Sequence, residues 1–224
     1  AWSGGSDEAR GQVQGWPRRV ASRIGHAGRL HGDREVGTRT VEGPITRTTY
    51  KDIHLRARKV AQALTRLGMK EGDVVATMAW NTARHLEAWY GIMGMGAVCH
   101  TLNPRLFAEQ LVYIINHAED KLVFLDLTFV PILEGIADKL PNVKAYVIMT
   151  DKAHMPETKR PNALCFDEIV EAEHGNFQRA EVHQNAAFAL RYTPSTSVIP
   201  QGVPYPHGPH RLHSLPRTMG APRG

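Results

Sequence analysis

Long hydrophobic runs are missing from this 224-residue sequence, and with them the roughly 18 consecutive apolar residues that a membrane-spanning helix requires. The opening AWSGGSDEARGQVQGWPRR has no apolar core of the kind a secretory signal carries. Neither insertion nor secretion is indicated, and a cytoplasmic location is the expectation. Cysteine is scarce as well. Cys99 and Cys165 lie far apart with no CxxC spacing, and both read as small buried hydrophobes rather than redox or metal groups. No GxSxG elbow accompanies Ser214, Asp167 or the scattered histidines, which argues against a hydrolase. His207, His210 and His213 have HxxHxxH spacing, but Gly208 and Pro209 interrupt the helix that would turn them to one metal, so no metal residue is assigned.

What the chain does have is 42% hydrophobic residues, enough for a substantial core, and a net charge of +5 with a pI near 9.4. The charge is unevenly placed. Residues 1–35 carry six Lys/Arg against four Asp/Glu, and residues 191–224 carry four Arg and no acid. The ends thus hold +2 and +4, and the middle is −1. A nucleic-acid footprint should be a basic face on the folded part, so no nucleic-acid partner is expected, and binding through the basic tail is the weakest of the alternatives.

The first 35 residues show no sustained period and read as a tail. VGTRTV and ITRTTY alternate around Glu42-Gly43-Pro44, which predicts a hairpin. Ile53, Ala57, Val60, Ala61, Leu64 and Leu67 then share one helical face, with Gly68 as the stop. GDVVATMAW suits a buried parallel strand, and Asn81 or Thr82 can cap a helix carrying Leu86, Trp89, Tyr90 and Met93. Trp80, Trp89 and Tyr90 read as core rather than as a ligand platform. The alternation continues through strands at 96–100, 121–126 and 143–149, with helices around residues 107–115 and 129–140 between them. A loop over 151–163, a short helix over 166–173 and a strand over 186–193 complete the pattern. Alternating strands and helices mean βαβ crossovers, hence an α/β fold with a mostly parallel sheet covered by helices on both faces. Gly91, Gly94 and Gly96 run in the reverse order of a dinucleotide fingerprint and read as close helix–sheet packing. After Thr193, prolines and glycines accumulate and no apolar period returns, so 194–224 reads as mostly unstructured.

Three stretches carry a resemblance. Thr49-Tyr50-Lys51-Asp52-Ile53 resembles the TYxEL-type motif, and GIMGMGAV followed by TLNPRL over residues 91–98 and 101–106 resembles a second core motif, of the adenylate-forming family. The spacing on to QLVYIINHAEDKLVFLD matches the same family, in the form of its medium- and long-chain fatty-acyl-CoA ligases. The resemblance implies the N-terminal subdomain of that ligase fold, incomplete, over residues 36–193, between an N-terminal tail (1–35) and a degenerate phosphate loop with an irregular tail (194–224).

The family's phosphate loop reads YTSGTTGxPKGV, and Tyr192 to Val203 falls on it position for position, with Tyr192, Thr193, Thr196, Pro200, Gly202 and Val203 in agreement. Such a loop turns backbone N–H groups and hydroxyls toward phosphate oxygens, with glycines permitting close approach. Pro194 removes an N–H, Ser195 and Val198 replace two glycines, and Gln201 replaces the lysine. The nucleotide-loop positions the resemblance implies are Thr193, Ser195, Thr196, Ser197, Gln201 and Gly202; no catalytic residue is carried over.

By resemblance the activity is ATP-dependent activation of a fatty acid to acyl-AMP and then acyl-CoA, with ATP, Mg²⁺ and CoA implied by the family. The ligands for magnesium and ribose have no counterpart in these 224 residues, so the expectation is an inactive chain when alone. The alternative from another class is a non-catalytic interaction or assembly module, self-associating through an exposed apolar face.

Overall fold

The computed structural model describes residues 20–178, 180, 182, 183, 185–193 and 201–207. Its centre is a seven-stranded sheet of order β7-β6-β5-β3-β4-β8-β9, formed by β3 (Val74–Met78), β4 (Val98–Thr101), β5 (Leu122–Leu125), β6 (Ala145–Ile148), β7 (Ala163–Cys165), β8 (Ala187–Thr193) and β9 (Gln201–Pro206). Every pairing is parallel except β8 with β9. A separate antiparallel hairpin joins β1 (Glu35–Arg39) to β2 (Ile45–Thr49). The α/β class, the hairpin and the strands holding Val74, Val75, Leu122, Val123, Phe124, Val147 and Ile148 all agree with the pattern of the sequence.

Alternation along single strands explains why both faces of the sheet are covered. In β5, Leu122 and Phe124 face a cluster with α2 (Tyr50–Arg66), α3 (Ala83–Gly94) and α6 (Phe166–Glu171), through Val60, Leu64, Ile92, Phe166 and Val170. Val123 and Leu125 face the other cluster, with α4 (Ala108–His117) and α5 (Val130–Ile136), through Leu111, Ile114, Ile115, Leu133 and Ile136. Of the two candidate caps, Thr82 is the one that closes α3, its side chain accepting the His85 N–H, and Thr49 does the same for Asp52 at the start of α2. Arg105 N–H bonds the Asn103 side chain, giving the turn that Asn103-Pro104 signals. Cys99 and Cys165 are free and buried, as their apolar settings indicated. No helix among the described residues is long and apolar enough to cross a membrane.

Three local readings need correction. The glycines of α3 do not pack against the sheet: a Cβ at Gly91 would sit 2.5 Å from Val60 Cγ1 and 2.9 Å from the Ala57 carbonyl, so Gly91 is the contact point of α2 with α3. Gly96 instead provides a turn at φ +88°, and Gly94 has open space around its Cβ position. Within 1–35, residues Ser22–Leu30 form helix α1, with Val20, Ala21 and Ile24 buried. Its few apolar residues lie among Gly and Arg and are too sparse to register as a period. Within 194–224, Gln201–Pro206 form β9. Pro204 and Pro206 are compatible with a strand here because β9 is the edge of the sheet, where an absent N–H costs little. The two end segments meet: His207 is buried, its Nδ1 accepts the Val20 N–H at 3.2 Å, and its ring lies 5.2 Å from that of Phe188. His210 and His213 lie outside the described residues.

Gly91→Ala tests the helix contact. The added methyl meets both a side chain and a backbone carbonyl, so a loss of about 1–3 kcal/mol is expected in denaturant unfolding. Adding Val60→Ala should recover part of the loss, because the Ala57 carbonyl remains; an unchanged midpoint in the single variant would show that α2 and α3 are not so closely opposed.

Candidate functional site

Of the six nucleotide-loop positions, Ser195, Thr196 and Ser197 lie outside the described residues. The structure places the other three at one end of the β8–β9 hairpin, with Thr193 paired to Gln201 and Tyr192 paired to Gly202. Gln201 and Gly202 are exposed. A Cβ at Gly202 would lie 3.0 Å from the Tyr192 ring, so a side chain here would press on the tyrosine that crosses it. Thr193, Gln201 and Gly202 bring no positive charge, and an exposed amide stands where the family's loop carries its lysine. The described loop residues therefore do not fit a triphosphate.

The base of this hairpin is held by groups the sequence reading passed over. The Tyr192 hydroxyl bonds His117 Nδ1 at 2.6 Å, and its ring lies 5.2 Å from that of His100. His100 Nδ1 in turn bonds Asp120 Oδ2 at 2.7 Å, with both side chains fully buried. Burial raises the Asp120 carboxyl pKa, against the hydrogen bond and charge of His100, which lower it. Neither His100 Nε2 nor Asp120 Oδ1 has a hydrogen-bond partner among the described residues. The signal was present as a histidine inside the buried strand AVCHT and an acid in HAED, but nothing in their spacing connects them.

A second polar centre lies beneath the β1–β2 hairpin, at the C-terminal ends of β3, β5 and β6. A cleft of about 220 Å³ opens there, lined by Thr38, Thr48, Arg56, Arg84, Glu87 and Asp167 among others. An ion-pair chain crosses it. Arg56 bonds Glu87 through Nε at 2.8 Å and also bonds Asp167; Arg84 bonds Asp167 at 2.8 Å and Glu42 at 2.7 Å. Glu42 Oε1 further accepts the Thr150 hydroxyl at 2.7 Å, and Arg84 donates to the Met149 carbonyl at 3.3 Å. Nearby, the Trp80 N–H donates to Asp126 Oδ2 at 2.6 Å, and burial pushes the Asp126 carboxyl up to about 6. Because each guanidinium is already engaged by two carboxylates, the cleft is a structural brace rather than a pocket for an incoming anion.

The sequence hints at this brace only weakly. Arg56 adjoins Ala57 on the apolar side of α2, away from the solvent-facing Lys51, Arg58, Lys59 and Arg66. In α3, Glu87 is buried while Leu86 is exposed, the reverse of what hydrophobicity suggests. Arg56 explains the inversion: it supplies the partner that makes a buried Glu87 tolerable.

With the fold and these two centres described, comparison with known proteins is direct. The sequence model of the family described as AMP-binding enzyme matches residues 26–215, and the chain belongs to that family. It is 44% identical over 200 residues to a medium-chain-fatty-acid–CoA ligase of Ectopseudomonas oleovorans, covering 89% of this chain and 37% of that protein. It is 42% identical over 205 residues to a 3-methylmercaptopropionyl-CoA ligase of Ruegeria lacuscaerulensis, covering 92% of this chain and 38% of the relative. The anthranilate CoA ligase AuaEII, solved in complex with anthranoyl-AMP, superposes with a TM-score of 0.77 at 20% identity, over 91% of this chain and 38% of its own. A Brucella canis acyl-CoA synthetase gives 0.72, also at 20% identity, over 90% and 36%. The chain thus spans less than two fifths of the length of the curated relatives it matches.

Glu87 generates a pH prediction. Burial pushes its carboxyl up to about 7 from an ordinary value of 4.5, with Arg56 opposing the shift, Asp167 reinforcing it and Arg84 opposing it. The folded state therefore holds a proton that the unfolded chain releases. The corresponding stability is complete below about 4.5 and lost as pH rises through about 7, on the order of 3 kcal/mol. In thermal unfolding, Glu87→Gln should lose less stability than the unsubstituted chain between pH 4.5 and 7. Identical slopes would place the Glu87 pKa near the ordinary value.

Proposed function

We propose that this chain is the N-terminal part of a ligase that activates a fatty acid with ATP to acyl-AMP and passes the acyl group to CoA, and that the 224 residues alone do not turn over. The 44% identity to a medium-chain-fatty-acid–CoA ligase is the observation that carries the substrate class, although the relative at 42% is named for a shorter, sulfur-containing acid. Identity of this order is compatible with either acid, so the fatty-acid assignment stands as the proposal to be tested. The proposed division of labour keeps residues 36–193 as scaffold and the β8–β9 hairpin as the part that would face the nucleotide. ATP, Mg²⁺ and CoA would be held mainly by the remainder of such a ligase, and no step is assigned to residues of this chain.

Loss of turnover follows from magnitudes. Removing one preorganised donor of transition-state charge costs about 10²–10³ in rate. Here Gln201 lacks the lysine charge and Pro194 lacks an N–H, while Ser195 and Val198 lack the freedom of glycine. A second role favoured by a specific feature is docking: Phe107, Leu30 and Ile45 are 80%, 65% and 63% exposed, and β9 is the edge of the sheet among the described residues.

The test is ATP–pyrophosphate exchange with octanoate, palmitate and 3-methylmercaptopropionate, run beside an intact ligase. No exchange is expected from the chain alone. Exchange is expected once the loop is rebuilt as Pro194→Ser, Ser195→Gly, Ser197→Thr, Val198→Gly and Gln201→Lys in a chain joined to the remaining part of a relative, with octanoate the best acid. Exchange by the unaltered chain that survives repurification would overturn the inactivity; preference for the methylmercapto acid would overturn the fatty-acid assignment.

A further inference from the structure

We propose that Glu42, Asp151 and His154 form a binding site for one divalent transition-metal ion at the rim of the cleft beneath the β1–β2 hairpin. Donor atoms of these three residues all lie within 4.8 Å of one another. The placement follows from local structure. Glu42 sits in the β1–β2 turn beside Gly43, whose φ of +118° allows the chain to reverse there. Its side chain is drawn inward until only 4% is exposed. Asp151 follows Thr150, the residue whose hydroxyl bonds Glu42, so the turn and the segment after β6 are already fastened together. Asp151 then caps the 3₁₀ turn Lys152–His154, accepting the His154 N–H at 3.0 Å, and this turn brings the imidazole back to within 2.7 Å of the carboxylate.

Capping accounts for the Asp151–His154 contact, but it does not account for Glu42. Glu42 Oε1 is filled by Arg84 and Thr150, whereas Oε2 is buried and has no hydrogen-bond partner among the described residues. A buried carboxylate oxygen with no partner is uncommon in folded proteins and calls for an ion or an equivalent donor. A carboxylate oxygen of the same side chain lies within 4.8 Å of donor atoms of Asp151 and His154.

The donor set selects the class of ion. One imidazole with two carboxylates suits Zn²⁺, Co²⁺ or Mn²⁺, whereas Mg²⁺ and Ca²⁺ favour all-oxygen shells. Ligand bonds of about 2.0–2.2 Å in a tetrahedral shell place donors about 3.4 Å apart, so the three must draw together around the ion. His154 and Asp151 have 53% and 41% of their side chains exposed, which leaves them room to move and the ion a route in. Three protein ligands leave the remaining positions to water. The bound ion would join the hairpin turn to the segment after β6, and this site does not depend on the ligase reading, since it involves none of the nucleotide-loop residues.

The experiment titrates the metal-free 224-residue chain with Co²⁺ in visible absorption and with Zn²⁺ by calorimetry. One saturable site is expected, with Co²⁺ bands displaced by Zn²⁺ and not by millimolar Mg²⁺. His154→Ala and Asp151→Asn should each weaken Zn²⁺ at least tenfold and remove the bands, while the exposed control His26→Ala changes neither. Glu42→Gln should do the same, but Glu42 also holds Arg84; His154→Ala, at an exposed position, keeps its fold and decides the matter. Absence of a saturable site, affinities within twofold of the unsubstituted chain in both His154→Ala and Asp151→Asn, or equal competition by Mg²⁺ would each overturn the assignment.

Discussion

The chain of ion pairs from Glu87 through Arg56, Asp167 and Arg84 to Glu42 is the constraint on which the rest of this structure depends. The five residues come from four elements: Glu87 and Arg84 from α3, Arg56 from α2, Asp167 from α6 and Glu42 from the hairpin turn. A single Asp167 side chain, joined to two guanidiniums, therefore fixes the mutual placement of three helices and the hairpin on one face of the sheet. Desolvating such charges is expensive, and it is recovered only because every guanidinium meets two carboxylates. With two cations and three carboxylates the chain would carry excess negative charge, and raising the Glu87 pKa relieves it.

The second constraint is aromatic and lies on the far side of β4. Tyr192 is held by His117 and rests against His100, and Gly202 is small because that ring lies over it. The segment between β8 and β9 is thus held at both ends, where Thr193 pairs with Gln201. This separates two properties that a family resemblance joins. The strand pairing on either side of this segment is present in the described residues, whereas the residue types of the segment depart from the family's motif.

Much of the fold was legible in the sequence because it rests on local periodicity. Val74, Phe124 and Val147 stand in short β-branched or apolar runs between helical faces such as Ile53-Ala57-Val60-Leu64, and that alternation leaves few other topologies. Helix α1 and strand β9 were not legible for different reasons: Val20, just before α1, meets His207 at the far end of the chain, whereas β9 carries Pro204 and Pro206, which argue against a strand except at a sheet edge. The site, too, was readable only in part. Thr193, Gln201 and Gly202 were singled out by motif, which says nothing of the polar centres: Arg56 with Glu87, His100 with Asp120, and Glu42 with Asp151 are separated in sequence and become neighbours only through the crossovers. A motif reports what lies side by side along the chain, and polar networks of this kind do not.

The most direct test of the brace is a double-mutant cycle between Arg84 and Asp167, using Arg84→Met and Asp167→Asn with stability read from denaturant unfolding. If the ion-pair chain holds the helices together, each single substitution costs about 1.5–3 kcal/mol, because it removes a charged partner from groups that are largely out of water. The double variant then loses less than the sum by at least about 1 kcal/mol. Losses that simply add, to within about 0.3 kcal/mol, would contradict the account and return the organisation of this face to the apolar core alone.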